Sequence, residues 1–422
     1  MVSQKLIESH ENINNGIPKG YKKTKYGVFP IDWEVKRVNQ VLKRVRKPVD
    51  VQLNTDYKQI GIRSHGKGIF YKESVKGKEL GNKAVFWVQP DCFIVNIVFA
   101  WEMAVSRTTK NELGFIASHR FPMYKPMDNI LDLDFITYLF KSPRGKYLLN
   151  LASPGGAGRN KTLGQKEFGE LEIIVPKDVK EQKKIAEVLS TWDKAIELKE
   201  SLIEQKEEQK RGLMQKLLSG DTRFPGFNGQ WKSVPIEKVC SISMGKTPSR
   251  NENKYWGKGF KWIAISDLKE KYISKTKEEI TELAIKETGI KIIPKGTVIM
   301  SFKLSLGKLG ITAEDMYSNE AIVGFKNEDK NILDNEFLYY YLNHIDITKF
   351  GSRAAKGITL NKDSLKEIIV RFPQIEEQIK IREFLSTKDT EIELFKKEVE
   401  ILKKQKEGLL QLLLTGKVRV KG

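Results

Sequence analysis

One stretch of the chain occurs twice. Glu181–Gly220 reads EQKKIAEVLSTWDKAIELKESLIEQKEEQKRGLMQKLLSG, and Glu377–Gly416 reads EQIKIREFLSTKDTEIELFKKEVEILKKQKEGLLQLLLTG. At a constant offset of 196 residues and with no gap, 21 of the 40 positions are identical. A duplication of this kind must be recognised before any fold is assigned, because the fold must hold both copies.

Both copies carry a heptad seam. In the first the 4–3 spacing selects Ile185, Leu189, Trp192, Ile196, Lys199, Ile203, Lys206, Lys210, Leu213 and Leu217, seven of them apolar. In the second it selects Ile381, Leu385, Lys388, Ile392, Phe395, Val399, Leu402, Lys406, Leu409 and Leu413, eight of them apolar. A sustained seam predicts long helices of coiled-coil type. Forty residues of helix span roughly 60 Å. Gly220 and Gly416 stand where helices stop. Such a seam needs a partner, and the nearest is its own duplicate. The expectation is an antiparallel intramolecular pair with pseudo-two-fold symmetry, the competing one being that each helix packs on its own preceding block. Lys199, Lys206 and Lys210 either loosen the seam or face partner subunits.

The repeat extends beyond the helices. Phe29-Pro30-Ile31-Asp32-Trp33 returns as Phe224-Pro225-Gly226-Phe227-Asn228-Gly229-Gln230-Trp231. Thr162-Leu163 pairs with Thr359-Leu360, and Pro176 with Pro373, each at offset 197. Proline there separates a strand from a helix start. Between these landmarks lie short β-rich runs: 58–62, 84–88 and 93–98 in the first block, 260–265 and 297–301 in the second. Residues 133–149 read as a helix broken near Pro143 with a second short one, and 337–342 as a helix. The fold class is therefore α+β: two globular domains with mainly antiparallel sheets, each followed by a long helix. The boundaries read as a flexible leader at 1–20, a first domain at 21–176 and a central helix at 177–220. A second domain at 221–373 and a C-terminal helix and tail at 374–422 follow.

Charge points to a polyanion. Residues 19–170 hold 27 basic and 14 acidic side chains, and 221–364 hold 23 and 18, whereas 180–218 are nearly balanced at 9 and 8. The positive charge sits on the two blocks, as a nucleic-acid ligand requires. Two distant cysteines, Cys92 and Cys240, fit a reducing cytoplasm. No Cys or His spacing suggests a metal site. No apolar run approaches about 18 residues, so the chain is expected to be cytoplasmic, without membrane association or export. The four histidines have no spacing for metal binding or nucleophile activation. Neither Asn-Pro-Pro-Tyr nor Asp-Pro-Pro-Tyr occurs. Gly155 to Thr162 approaches a phosphate-loop pattern with Asn160 in place of its second glycine. Its counterpart, Ser352 to Thr359, has lost the lysine, so a DNA-phosphate contact is the better reading.

The second block carries Gly245-Lys246-Thr247-Pro248-Ser249, Tyr255-Trp256-Gly257, Pro294-Lys295-Gly296-Thr297 and Ser305-Leu306-Gly307-Lys308. The first carries Trp101-Glu102-Met103-Ala104 and the Gly-rich run from Ser153 to Gly164. Each helix opens on a Pro-to-Glu-Gln pattern, Pro176 to Glu181-Gln182 and Pro373 to Glu377-Gln378. These features, in this order, resemble the specificity subunit of a Type I restriction–modification system. The resemblance implies two target recognition domains reading an asymmetric, bipartite site in double-stranded DNA, with the helices setting the gap. It implies two methyltransferase subunits as partners, joined by restriction/translocase subunits. S-adenosylmethionine, ATP and Mg belong on those partners. This chain is expected to bind no cofactor and no metal and to have no catalytic residue of its own. The two competing classes are a coiled-coil interaction protein without a DNA role and a self-contained restriction enzyme.

Base and phosphate contacts are sought among polar and cationic residues of Gly-rich loops. In the first block these are Arg63, Ser64, His65 and Lys67, then Arg107, His119 and Arg120, with Arg159 and Lys161 toward phosphate. In the second they are Lys246, Thr247, Ser249 and Tyr255, then Lys303, Ser305 and Lys308, with Arg353 and Lys356 toward phosphate. Trp33, Trp231, Trp256 and Trp262 read as core or platform residues. Arg44, Arg46 and Lys47 read either as phosphate contacts or as a solvated helix end.

Overall fold

A computed structural model describes residues 13–14, 17–81, 84–155, 161–303, 305–354 and 357–420. Most of the predicted leader lies outside them. The chain divides into two compact units, one of Met1–Lys199 with Glu398–Gly422, the other of Glu200–Lys397.

In the first unit, an antiparallel sheet runs in the order Val105–Arg107, Phe93–Val95, Met123–Pro126, Leu42–Val45. A second sheet runs Val85–Trp87, Phe115–Ser118, Asp56–Ile62, Ile69–Tyr71, and its middle pair is parallel. The second unit repeats this plan. Its first sheet runs Leu309–Thr312, Val298–Ser301, Ile322–Asn327, Cys240–Met244, with Tyr272–Ile273 added at the edge. Its smaller sheet runs Glu278–Ile280, Trp256–Ile263, Tyr317–Ser318, and the last pair is again parallel. Two blocks with little sequence in common share one strand plan. The expected runs lie on strands, with shifted ends. The run at 260–265 belongs to a longer strand that starts at Trp256 and stops at Ile263, where a short 3-10 turn takes over. Ile97 and Val98 leave the strand begun at Phe93.

The helices after the sheets are set by their caps. Leu133–Lys141 begins at Asp132, whose carboxylate accepts from Phe135 N at 2.9 Å. It stops at Ser142, which caps Pro143–Leu151 by accepting from Gly145 N at 3.1 Å, with proline at the first helical position. Asn335–His344 begins in the same way at Asp334, which accepts from Phe337 N at 2.8 Å. Each block closes on itself through its first and last strands. Trp33–Arg37 pairs with Glu172–Pro176, and Lys232–Pro235 with Ile369–Phe372.

The long helices span Val179–Ser219 and Ile375–Leu414. Within each unit two segments of them run antiparallel. In the first unit Lys199 pairs with Glu398 at 2.6 Å and Asp193 with Lys406. In the second, Lys206 pairs with Glu391 at 2.8 Å, Glu207 with Lys396 at 2.6 Å and Lys210 with Asp389. Lys199, Lys206 and Lys210 thus face carboxylates on the opposed helix.

The helices also enter the block cores, which the heptad reading treated as an alternative to pairing. The first unit's core packs Trp33, Phe93 and Phe168 with Ile185 and Leu189 from the start of one long helix. Leu410, Leu413 and Leu414 join it from the end of the other. The second unit's core packs Phe325, Phe337 and Tyr340 with Ile381, Leu385, Leu217 and Leu218. Ile196, Ile203, Ile392 and Val399 are buried along the seam, while Trp192, Leu213, Phe395, Leu402 and Leu409 are half-buried. Near the helix ends the buried face is wider than a strict heptad, because it meets a block as well as a helix.

Gly416 ends the second helix at φ +67, and a Cβ there would lie 2.5 Å from the Pro30 ring. The C-terminal turn is therefore seated directly on the Phe29–Trp33 lead-in. Tyr21 Oη donates to its carbonyl at 2.8 Å.

Candidate nucleic-acid interface and its helical mount

In the first head, Arg63–Gly68 links strands Asp56–Ile62 and Ile69–Tyr71. His65, Gly66 and Gly68 all adopt positive φ, and Arg63 N donates to Gly68 O at 3.0 Å, closing a tight loop. Ser64 Oγ donates to a Glu102 carboxylate oxygen at 2.8 Å, and His65 N donates to Glu102 O at 2.6 Å. Arg63 lies over the Phe70 ring at 5.1 Å, while His65 and Lys67 project into solvent. The corner Ser118–Phe121 stands beside this loop with His119 and Arg120 exposed. Together they border a cleft of about 670 Å³ lined by Gln59, Ser64, Lys72, Asn96, His119 and Arg120. Gln59 and Lys72 were not singled out from the sequence. Gln59 lies on strand Asp56–Ile62 and Lys72 just past the end of strand Ile69–Tyr71, where Lys72 N donates to Gln59 O at 2.9 Å, and only this pairing brings them to the loop.

Arg107 stands elsewhere. Its Nη1 reaches both oxygens of Asp134 at 2.6 Å, and Nη2 reaches Asp91 at 3.4 Å, so it ties a strand to a helix. Lys161 Nζ donates to Asn150 Oδ1 at 2.9 Å. Arg159 and Lys356 lie outside the described residues, as does most of the near-phosphate-loop run. Arg353 lies on strand Ser352–Ala354, paired with Gly357–Thr359. Arg44 is on a strand rather than a helix end. Burial, with Arg46 nearby, lowers its pKa.

In the second head the corresponding corner is Ser318–Ala321. Lys246 N donates to Ser318 O at 2.8 Å and Phe302 N to Ala321 O at 2.9 Å, so the loop at 245–250 and Phe302 flank it. Thr247 Oγ1 donates to the Glu320 carboxylate. That hydrogen bond, with Lys303 and Arg250 nearby, holds Glu320 below the usual carboxylate range. Thr247 and Lys303 therefore converge on one acid. Ser305 and Lys308 belong to the same turn, where Lys308 N donates to Ser301 Oγ at 3.0 Å. Lys246 and Tyr255 turn the other way: Lys246 Nζ donates to Thr288 O at 2.6 Å and Tyr255 Oη to Glu287 at 2.6 Å. Ser249 is exposed and its carbonyl accepts from Trp256 Nε1 at 3.1 Å. Arg250, missed in the sequence, lies 3.8 Å from the Trp256 ring centre while its guanidinium grips Glu278 at 2.5 and 3.0 Å. A cation six residues before a tryptophan is the one signal that could have marked it. Trp33 and Trp262 are buried, Trp231 and Trp256 half-buried.

The mount beneath each head is built twice from matched residues. Gln182, fully buried, accepts from Asp132 N at 2.8 Å and donates to Ile130 O and Pro176 O at 3.0 and 2.8 Å. Gln378 accepts from Asp334 N at 2.9 Å and donates to Ile332 O and Pro373 O, both at 2.8 Å. Glu181 is gripped by Arg419, and Glu377 by Arg223. The Pro-to-Glu-Gln pattern is thus a docking device between helix and head.

The family described as Type I restriction modification DNA specificity domain matches this sequence twice, over residues 30–208 and 228–404. The chain belongs to that family. It is a Type I specificity subunit, a DNA target-recognition protein. It is 27% identical over 428 residues to the MjaVIII specificity subunit of Methanocaldococcus jannaschii, covering 93% of this chain and 94% of that one. It is 26% identical over 294 residues to the EcoR124I/EcoR124II specificity subunit of Escherichia coli, covering 64% and 69%. Its fold resembles that of a chain solved in work on assembly of the type I R-M system, at TM-score 0.62, 17% identity and coverage of 92% and 99%. It also resembles the S subunit from M. genitalium, at TM-score 0.54, 17% identity and coverage of 95% and 97%. Both sequence relatives are specificity subunits.

Proposed function

We propose that this specificity subunit reads an asymmetric, split DNA site, one half with each head, and that the long helices set the gap. The observation that carries the reading is a contrast. The two heads share one strand plan yet present unlike corners, Arg120 in one and Glu320 in the other, while the helices keep 21 of 40 positions. Unlike readers on a repeated mount suit two different half-sites at a constant separation. Arg120 suits guanine acceptors, and Glu320 suits an exocyclic amino donor. Lys67, Lys72 and Lys303 supply cations for the flanking phosphates.

The helices also offer matched outward positions. Leu198 and Leu394, identical at offset 196, are 61% and 59% exposed. A surface present twice suits two copies of one partner, the methyltransferase subunit. That subunit would carry S-adenosylmethionine and methylate adenine. Restriction subunits would add ATP- and Mg-dependent cleavage. The test is to co-express the chain with its methyltransferase subunit and map methylated adenines across a genome. A split asymmetric motif, present only with this chain, is expected. Methylation that is unchanged without it would sink the reading.

A further inference from the structure

Each unit contains a three-residue polar joint that no base contact explains. In the first unit, Tyr138 Oη donates to Asp193 Oδ2 at 2.7 Å, and Lys406 Nζ bonds the other carboxylate oxygen. In the second, Tyr340 Oη donates to Asp389 Oδ2 at 2.6 Å, and Lys210 Nζ bonds the other oxygen. Each lysine also lies 5.7 Å from its tyrosine ring centre. Three elements therefore meet at one carboxylate: a head helix, the long helix that follows that head, and the opposed long helix.

The aspartates and lysines are identical at offset 196, and the tyrosines come from heads that are otherwise unlike. In the second unit the joint continues toward the sheet edge. Lys271 Nζ donates to Tyr340 Oη at 3.0 Å and to Glu336 at 2.5 Å. Apolar packing between a head and a helix is non-directional and tolerates small rotations. Charge-assisted hydrogen bonds shared at one carboxylate do not, because each needs a narrow distance and angle. The joint is thus the directional component of the head's seat.

On the split-site reading above, head orientation has a consequence on DNA. One base pair more or less in the gap moves a half-site by about 3.4 Å and turns it by about 35°. We propose that Tyr138–Asp193–Lys406 and Tyr340–Asp389–Lys210 are spacing determinants, which hold each head at the angle that admits one gap length and read no base themselves.

The test uses the full chain in complex with its methyltransferase subunits. Methylated adenines are mapped for the wild type, Tyr138→Phe, Tyr340→Phe, Lys210→Met and Lys210→Arg. The half-sites are expected to stay unchanged. Sites with a gap one base pair longer or shorter are expected to rise about tenfold in the Phe and Met variants, the equivalent of one lost charge-assisted hydrogen bond. Lys210→Arg keeps the charge and is expected to restore the wild-type gap. If Tyr340→Phe does not fold, Lys210→Met probes the same joint from the opposed helix. A split site with one fixed gap in every folded variant overturns this proposal alone, as does a change in half-site bases. A wild-type site that is not split overturns the split-site reading and this proposal together.

Discussion

Arg419 grips Glu181 across 238 residues of sequence, with Nε and Nη2 donating to the two carboxylate oxygens at 2.6 and 2.9 Å. The same guanidinium reaches Asp32 at 3.0 and 2.6 Å. Arg223 makes the matched grip on Glu377 at 2.9 and 2.5 Å. Each arginine follows one long helix and holds the first turn of the other.

Replacing Arg419 removes two ion pairs and strands a Glu181 side chain that is 7% exposed. Arg419→Ala should cost about 1–2 kcal/mol, between the loss of an exposed pair and that of a fully buried one, because the arginine itself is 37% exposed. Urea unfolding checks it, and an unchanged midpoint would show the grip to be incidental.

Gln182→Ala and Gln378→Ala each leave one backbone N–H and two carbonyls without their partner in a buried site. Each should cost about 2–4 kcal/mol, since unmet buried polar groups bear the full desolvation penalty. Exposed Gln215→Ala, made in parallel, should stay within about 0.5 kcal/mol of the wild type.

Acid should loosen the chain. The Arg419 hydrogen bond lowers the Asp32 carboxyl from its ordinary value, and Lys206 with Lys388 lowers Glu391. A carboxylate with a lowered folded pKa stabilises the fold above its unfolded value and loses that contribution as pH falls through the folded one. Stability should therefore be flat from neutral pH down to about 5 and fall below about 4. Arg419→Ala should make the fall shallower. Urea midpoints measured across this range test both statements.

Arg120→Ala should change one base position in the half-site read by the first head and leave the other half intact. Glu320→Gln should do the reverse. Either loss is worth about 1–3 kcal/mol of discrimination. Genome-wide methylation maps of the two variants decide it, and a uniform weakening at all sequences would reassign the residue to phosphate.

Both thiols should be unreactive in the native state. Cys92 and Cys240 are buried, and burial pushes them up to about 11 and about 12. Since the thiolate is the nucleophile, a thiol reagent at pH 8 should label neither until urea unfolds the chain. Rapid native labelling of Cys92 would contradict its burial with Ile60, Ile94 and Met123.

Much of this architecture was legible because it is local. Heptad spacing, the stop glycines and the prolines before each helix act within a few residues of themselves, so their order along the chain carries them. Duplication then revealed which positions were held in pairs. Among candidate readers, the loops of Arg63–Lys67 and Lys246–Ser249 were visible from glycine and charge. Arg107 was not separable from them, because its acid partners lie 16 and 27 residues away.

The sequence by itself determined the duplicated helices, the two unlike basic heads and the family to which the chain belongs. Only the tertiary structure decided that each long helix begins in its own head's core and ends in a core with the other head's residues. It also decided that Lys199, Lys206 and Lys210 meet acids on the opposed helix. The reason is that periodicity states which face of a helix is apolar, whereas the partner of that face is chosen by packing among segments hundreds of residues apart. Asp193 and Asp389 read as ordinary polar positions in a repeat, until the fold brings a tyrosine and a lysine to each.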